Sequence, residues 1–160
     1  MKLTTTKITE LSLDPSNVRK HSRRNLDAIK ASLRKFGQQK PIVVDAKGIV
    51  LAGNGTLTAA QELGWTEIQI VRTELAGVEA TAFAIADNRT AELAEWDDNL
   101  GDVLKSLQDE DVDLTDLGYS AEDIAKMQTP DFAAGTVDDQ GKLDEKSPIE
   151  CPHCHKSFTP

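Results

Sequence analysis

Aromatic residues are scarce in this 160-residue chain: Phe, Trp and Tyr together make up 4%. A core built from it must be mostly aliphatic, drawn from the 39% of residues that are hydrophobic. Long apolar runs are missing too. None approaches the ~20 residues needed to span a bilayer. The opening "MKLTTTKITE" lacks the apolar stretch of a secretion signal. The expectation is a soluble, cytoplasmic protein with no membrane partner. Cysteine is limited to two residues, Cys151 and Cys154, spaced C-x-x-C. In a reducing compartment that spacing favours a metal over a disulfide.

Charge is present in quantity but is unevenly placed. The net charge of −9 combines a basic beginning with an acidic remainder. Residues 1–49 carry eleven Lys/Arg against four Asp/Glu, a net +7. Residues 50–100 come to −7 and residues 101–160 to −9. The first third could face phosphate, whereas the last part would be repelled by it.

Hydrophobic spacing outlines the elements. "TKITELSLD" reads as an opening strand and "DPSN" as a turn. Leu26, Ile29, Leu33 and Phe36 fall on helical spacing, with Asn25 able to cap the start and Gly37 the end. "PIVVD" and "IVLAG" read as strands joined by a hairpin turn, and "EIQIVRTE" as another strand. The spacing predicts a helix over "TLTAAQELGW" that buries Leu57, Ala60 and Leu63. A second runs from Val78 to about Trp96, packing Ala80, Phe83, Ala84 and Ala91. A third covers roughly 98–108. "SAEDIAKM" is a short helix opened by Ser120, with Asp123 three positions on completing a capping box. From Thr129 the chain is almost devoid of apolar residues and reads as a flexible acidic linker. Mixed strands and helices with hairpin and crossover connections place the fold in the α+β or α/β class.

The segment "VLAGNGTLTAA" is the chemically suggestive one. A strand runs into Gly53-Asn54-Gly55 and then a helix. Such a turn lets backbone approach a ligand closely, and the helix's first free N–H groups favour an anion. Thr56 or Thr58 could add a hydroxyl. The G-K-[ST] ending of a P-loop and the third glycine of a dinucleotide fingerprint are both absent.

Four segments in order carry a resemblance: the N-x-R-x-H lead-in to the first helix, "FGQQKPIVVD", the glycine turn with "LTAAQELGW", and "IADNRTAELAEWDD". Together they resemble the N-terminal domain of ParB-like proteins, the ParB/sulfiredoxin fold, and most of all the phage-type and methyltransferase-associated members. The resemblance implies an α+β fold, a small mixed sheet with packed helices over 1–107; composition and spacing add a helical extension over 108–128, the acidic linker over 129–148 and a tail over 149–160. It also implies a nucleotide of the CTP type with Mg2+, bound at Gly53, Asn54, Gly55 and Thr56 together with Gln39, Asn88 and Arg89. The family's phosphate-gripping arginine is replaced by Thr56 here. Arg89, Arg19 and Lys20 are the cations available to substitute. Arg19, Lys20, Arg23 and Arg24 are the candidate DNA-phosphate contacts.

Other chemistries of this fold find less support. The turn has no cysteine for sulfiredoxin-type repair. Metal-dependent nuclease action would need clustered carboxylates, and the nearest, Asp87, Glu92 and Asp97, follow one helix. CTP hydrolysis is left open. The tail "CPHCHKSF" resembles half of a zinc ribbon. Zinc takes four ligands in a tetrahedron. Cys151 and Cys154 supply two, and His155, His153 or the C-x-x-C pair of a second chain could supply more. Two functions are therefore in view. One is a nucleotide- or phosphate-responsive DNA-associated protein, dimeric and of phage or mobile-element origin. The other is a non-catalytic scaffold with a vestigial site that recruits a methyltransferase or replication protein.

Overall fold

The computed structural model describes residues 2–128 and 149–158. Contacts divide the chain into two units, Met1–Gln128 and Thr129–Pro160. The acidic linker expected over 129–148 lies outside the described residues. Among the described residues no helix is long and apolar enough to cross a membrane.

The first unit holds a five-stranded mixed sheet of β1 (Leu3–Lys7), β2 (Ser12–Leu13), β3 (Ile42–Val44), β4 (Ile49–Ala52) and β5 (Glu67–Arg72). Their spatial order is β1-β5-β3-β4-β2. The β3–β4 hairpin is antiparallel, as the intervening "AKG" predicts. Asp45 shapes its turn, its carboxylate accepting from the N–H groups of Lys47 and Ile49. β5 alternates as a half-buried strand does, with Ile68 and Ile70 inward and Gln69 outward. The opening "TKITELSLD" is not one strand. β1 ends at Lys7, a 3-10 turn over Ile8–Glu10 follows, and β2 pairs in parallel with β4. The turn lets Ile8 and Leu11 both be buried, although three positions apart on a single strand they would face opposite sides.

The helices are α1 (Arg23–Phe36), α2 (Asn54–Glu62), α3 (Gly77–Glu92), α4 (Leu100–Asp109) and α5 (Ala121–Gln128). The mixture of sheet and packed helices is α+β. Ser22, not Asn25, caps α1: its side chain accepts the N–H of Asn25, which therefore lies inside the helix. Gly37 ends it as expected. α3 stops at Glu92, short of Trp96, and Ala91 is exposed rather than packed; only Ala80 is fully buried along that helix. Ser120 and Asp123 form a reciprocal cap at α5, with Asp123 N–H donating to Ser120 Oγ and Ser120 N–H to Asp123 Oδ2.

The core is aliphatic. Ile42, Val44, Val50, Leu57 and Ile70 are its largest fully enclosed side chains. Each contributes on the order of 1.5–3 kcal/mol by leaving water. Leu57 belongs to α2, so the helix after the glycine turn is anchored by its own apolar face against the sheet. The start of that helix is thereby fixed at the end of β4.

Part of the basic first third is neutralised within the fold. Arg23 and Lys30 pair with Glu62, Arg24 with Asp123, and Lys35 with Asp116. On α1 the charge asymmetry legible in the sequence is complementarity to the acidic residues packed around it.

Candidate anion and nucleotide site

β4 delivers the chain to Gly53, which adopts a left-handed conformation with φ +100°. A Cβ there would also lie 2.5 Å from Ile42 Cγ2. Both facts require glycine. The first helical bond of α2 runs from Leu57 N–H to Gly53 O at 2.9 Å. The N–H groups of Asn54, Gly55 and Thr56 therefore have no carbonyl partner in the helix and form its positive end.

The second glycine serves another purpose. A Cβ on Gly55 would lie 2.6 Å from His21 Cε1, so the imidazole sits directly against the turn. His21 Nδ1 is 2.7 Å from Asn25 Oδ1. That oxygen only accepts, so Nδ1 carries the proton and Nε2 remains available. Sequence reasoning noted the N-x-R-x-H lead-in as a family likeness but did not place His21 or Asn17 in the site. The motif was the signal that could have found them.

Local hydrogen bonds hold this lead-in in place. Asn54 is buried, accepts the N–H of Asp14 through Oδ1 and donates through Nδ2 to Val50 O. Its side chain therefore ties β2, β4 and α2 together. Asn17 accepts the N–H of Arg19 and donates back to its carbonyl. The loop is thus pinned at both ends, which presents Arg19 and His21 to the turn.

Together these residues enclose a recess of about 130 Å³ lined by Asn17, Arg19, His21, Gly53, Asn54, Gly55, Thr56 and Asn88, with Ile29, Leu51 and Ala52 beneath. It is smaller than the roughly 300–1,000 Å³ of a typical small-molecule site. A phosphate group fits; the rest of a nucleotide would have to lie outside. An adjoining hollow of about 430 Å³ on α1 shares Ile29 and Thr56 with the recess and is lined by Phe36, Gln38, Gln39 and Lys40 among others.

Of the residues expected at the site, Gly53, Asn54, Gly55, Thr56, Asn88 and Arg19 converge on the recess. Gln39 lies in the adjoining hollow, its amide donating to Phe36 O. Asn88 donates to Ala84 O of its own helix, leaving its amide oxygen free of that bond. Thr58 is turned back onto Asn54 O. Arg89 is outside the lining and pairs with Glu92 at 3.6 Å. Glu92 also pairs with Arg19. Lys20 is exposed, and Arg23 and Arg24 are engaged in the ion pairs described above. Cys151, Cys154 and His155 belong to the other unit. Among the described residues no three His, Cys, Asp or Glu side chains cluster so as to hold a metal ion.

A family profile described as the ParB N-terminal domain matches residues 1–89. The ParB-like nuclease domain-containing protein YnaK of Escherichia coli (strain K12) is 32% identical over 62 residues, covering 39% of this chain and 71% of its own. The C-terminally truncated chromosome-partitioning protein ParB from Caulobacter crescentus, complexed with CTP-gamma-S, superposes with a TM-score of 0.64 at 20% identity, over 79% of this chain and 77% of that one. The same protein complexed to the centromeric parS site gives a TM-score of 0.47 at 21% identity, over 80% and 73%. The likeness to the CTP-gamma-S complex is one of fold. With more than half of its residues inside the matched span, the chain belongs to the ParB N-terminal domain family.

Proposed function

We infer that this chain is a nucleotide-responsive, DNA-associated member of its family, and that the recess at the α2 N-terminus takes the phosphates of a CTP-type nucleotide. The observation that carries this is the convergence of Arg19 and His21 with the free N–H groups of Asn54, Gly55 and Thr56. Backbone donors and a helix dipole favour an anion. Arg19 supplies the planar cationic fork that Thr56 cannot. The hollow beside it, with the amides of Gln38 and Gln39, is roomy enough for a base and sugar. The solved Caulobacter crescentus relative of the same fold was complexed with CTP-gamma-S, which supports the ligand class.

No carboxylate is among the residues lining the recess. A Mg2+ ion would be held by phosphate oxygens, water and the amide oxygens of Asn17 or Asn88. It would supply charge neutralisation between phosphates. His21 is the side chain in the lining able to act as a general base, so hydrolysis would depend on it. DNA phosphate would meet Lys20 first, since Arg19, Arg23 and Arg24 are already ion-paired. The sequence likeness to phage-type and methyltransferase-associated domains supports a role in the partition, regulation or modification of mobile-element DNA, as a homodimer.

One observation favours the scaffold reading. Val78, Ile85, Leu93 and Trp96 are exposed apolar residues on and just beyond α3, and Arg19 is already paired with Glu92. In that reading the site is vestigial and the α3 face recruits a methyltransferase or replication protein.

Thermal unfolding with CTP, ATP and GTP plus Mg2+ separates the two. A ligand at a hundred times its Kd stabilises by about 2.7 kcal/mol. The nucleotide reading expects a shift with one of them that Arg19→Ala sharply reduces. No shift at millimolar concentration would favour the scaffold. DNA binding measured at two salt concentrations checks the second element: affinity must fall as salt rises.

A further inference from the structure

In the second unit, β6 (Ile149–Glu150) pairs antiparallel with β7 (Ser157–Phe158), and the C-x-x-C lies in the loop between them. The loop is a built structure. Cys151 N–H donates to Lys156 O and His155 N–H to Cys151 O, both at 2.9 Å. His155 takes a left-handed conformation with φ +55°, which turns the chain back toward β7. Cys151 and Cys154 thus stand three residues apart on one tightly turned loop between two paired strands, the spacing of a zinc knuckle. Both cysteines are reduced and accessible, Cys154 more so.

Two thiolates on one rigid loop are half of a tetrahedral zinc site. The other half is not on this tail. The sequence has no third cysteine. His155 Nδ1 lies 2.8 Å from Glu150 Oε1, and neither His155 nor His153 joins the sulfurs in a three-ligand cluster among the described residues. We propose that Cys151 and Cys154 form one half of a Zn2+ site that the same two residues of a second copy complete, so that metal binding and joining of the tails are a single event. Four thiols release their protons to solvent as one ion enters, and the ion sits about 2.3 Å from each sulfur. The site does not depend on the nucleotide reading, because no residue is shared.

The test uses the full chain, purified under reducing conditions, stripped with a chelator and titrated with Zn2+. The expected result is one zinc per two chains. Co2+ in its place should give the visible spectrum of a tetrahedral tetrathiolate. Light scattering should show the mass rising with metal, and falling with chelator unless the first unit also self-associates. Cys151→Ser and Cys154→Ser should each abolish stoichiometric binding, while His155→Ala should keep both stoichiometry and spectrum. One metal per chain, a histidine-containing cobalt spectrum lost in His155→Ala, or no stoichiometric metal would each overturn the proposal.

Discussion

Arg19 on the wall of the recess is ion-paired with Glu92, a residue 73 positions further along the chain in the last turn of α3. Glu92 pairs with Arg89 as well. One carboxylate thus engages the two arginines that sequence reasoning offered as substitutes for the missing phosphate-gripping arginine. A phosphate entering the recess must compete with it for Arg19. Both partners of the Arg19–Glu92 pair are about half exposed, so the pair itself contributes little to stability, about 1 kcal/mol or less. Glu92→Gln should leave unfolding nearly unchanged and tighten nucleotide or phosphate binding by up to roughly fivefold. Arg19→Ala should weaken it by roughly ten- to a hundredfold, the worth of a charged hydrogen bond. Calorimetric titration of both variants checks this. Equal affinity in Glu92→Gln and the native chain would show that the carboxylate does not compete.

Gly55 separates site from fold. It lies inside α2 with ordinary helical backbone, so alanine there gains helix propensity of up to about 1 kcal/mol. Yet its Cβ would lie 2.6 Å from the His21 ring, which must swing away. His21 is a partly exposed side chain with room to do so. Gly55→Ala should therefore melt at or above the native temperature while losing ligand affinity, because the ring and its neighbour Arg19 are displaced from the turn. A fall in melting temperature with unchanged affinity would contradict this arrangement.

Gly53 behaves in the opposite way. Its φ of +100° and the 2.5 Å approach of Ile42 Cγ2 place it against a core residue that cannot give. A left-handed residue with a Cβ costs about 1–2 kcal/mol, and overpacking adds about 1–3. Gly53→Ala should destabilise by at least about 2 kcal/mol in urea denaturation. The two glycines look alike in sequence, and one measurement on each tells them apart.

That contrast shows where sequence reading ends. The strands β3, β4 and β5, the glycine stop of α1, the apolar face of α2 and the Ser120–Asp123 cap were legible, because each rests on neighbours within a few residues. The recess was located by its turn, again a local pattern. What could not be read was long-range. His21 against Gly55 and Arg19 against Glu92 join positions far apart in the chain, and no spacing encodes them. Asn54 looked like a ligand-facing residue because it stands between the glycines. Its side chain instead turns inward to satisfy Asp14 N–H and Val50 O, a choice set by the buried backbone groups nearby. The apolar spacing that continues to Trp96 predicts a longer α3 than the one that ends at Glu92, and Trp96 itself lies exposed.

The stability of this fold is coupled to pH through a cluster at the α1–α2 junction. Lys30 is a buried lysine whose Nζ lies 2.8 Å from Asp27 Oδ1 and 2.7 Å from Glu62 Oε2, joining α1 to α2. Its hydrogen bonds to Asp27 and then Glu62 raise its pKa above the ordinary 10.5. The same bonds hold Asp27 below 3.8 and Glu62 below 4.5. The carboxylates thus contribute stability that is fully present above their unfolded values and is lost as pH falls through their lowered folded values. The lysine contributes stability that is present below 10.5 and is lost as pH rises through its raised folded value. Between these limits the cluster is fully formed. Lys30→Met keeps the buried stem apolar and leaves Glu62 its Arg23 partner at 3.1 Å, so no charge is stranded. Urea midpoints measured from about pH 6 down to about pH 3 should fall more gently in Lys30→Met than in the native chain. They should not become flat, because the Ser120 hydroxyl and N–H independently hold Asp123 low. If the two acid limbs run parallel, the Lys30 cluster is not what couples this fold to protons.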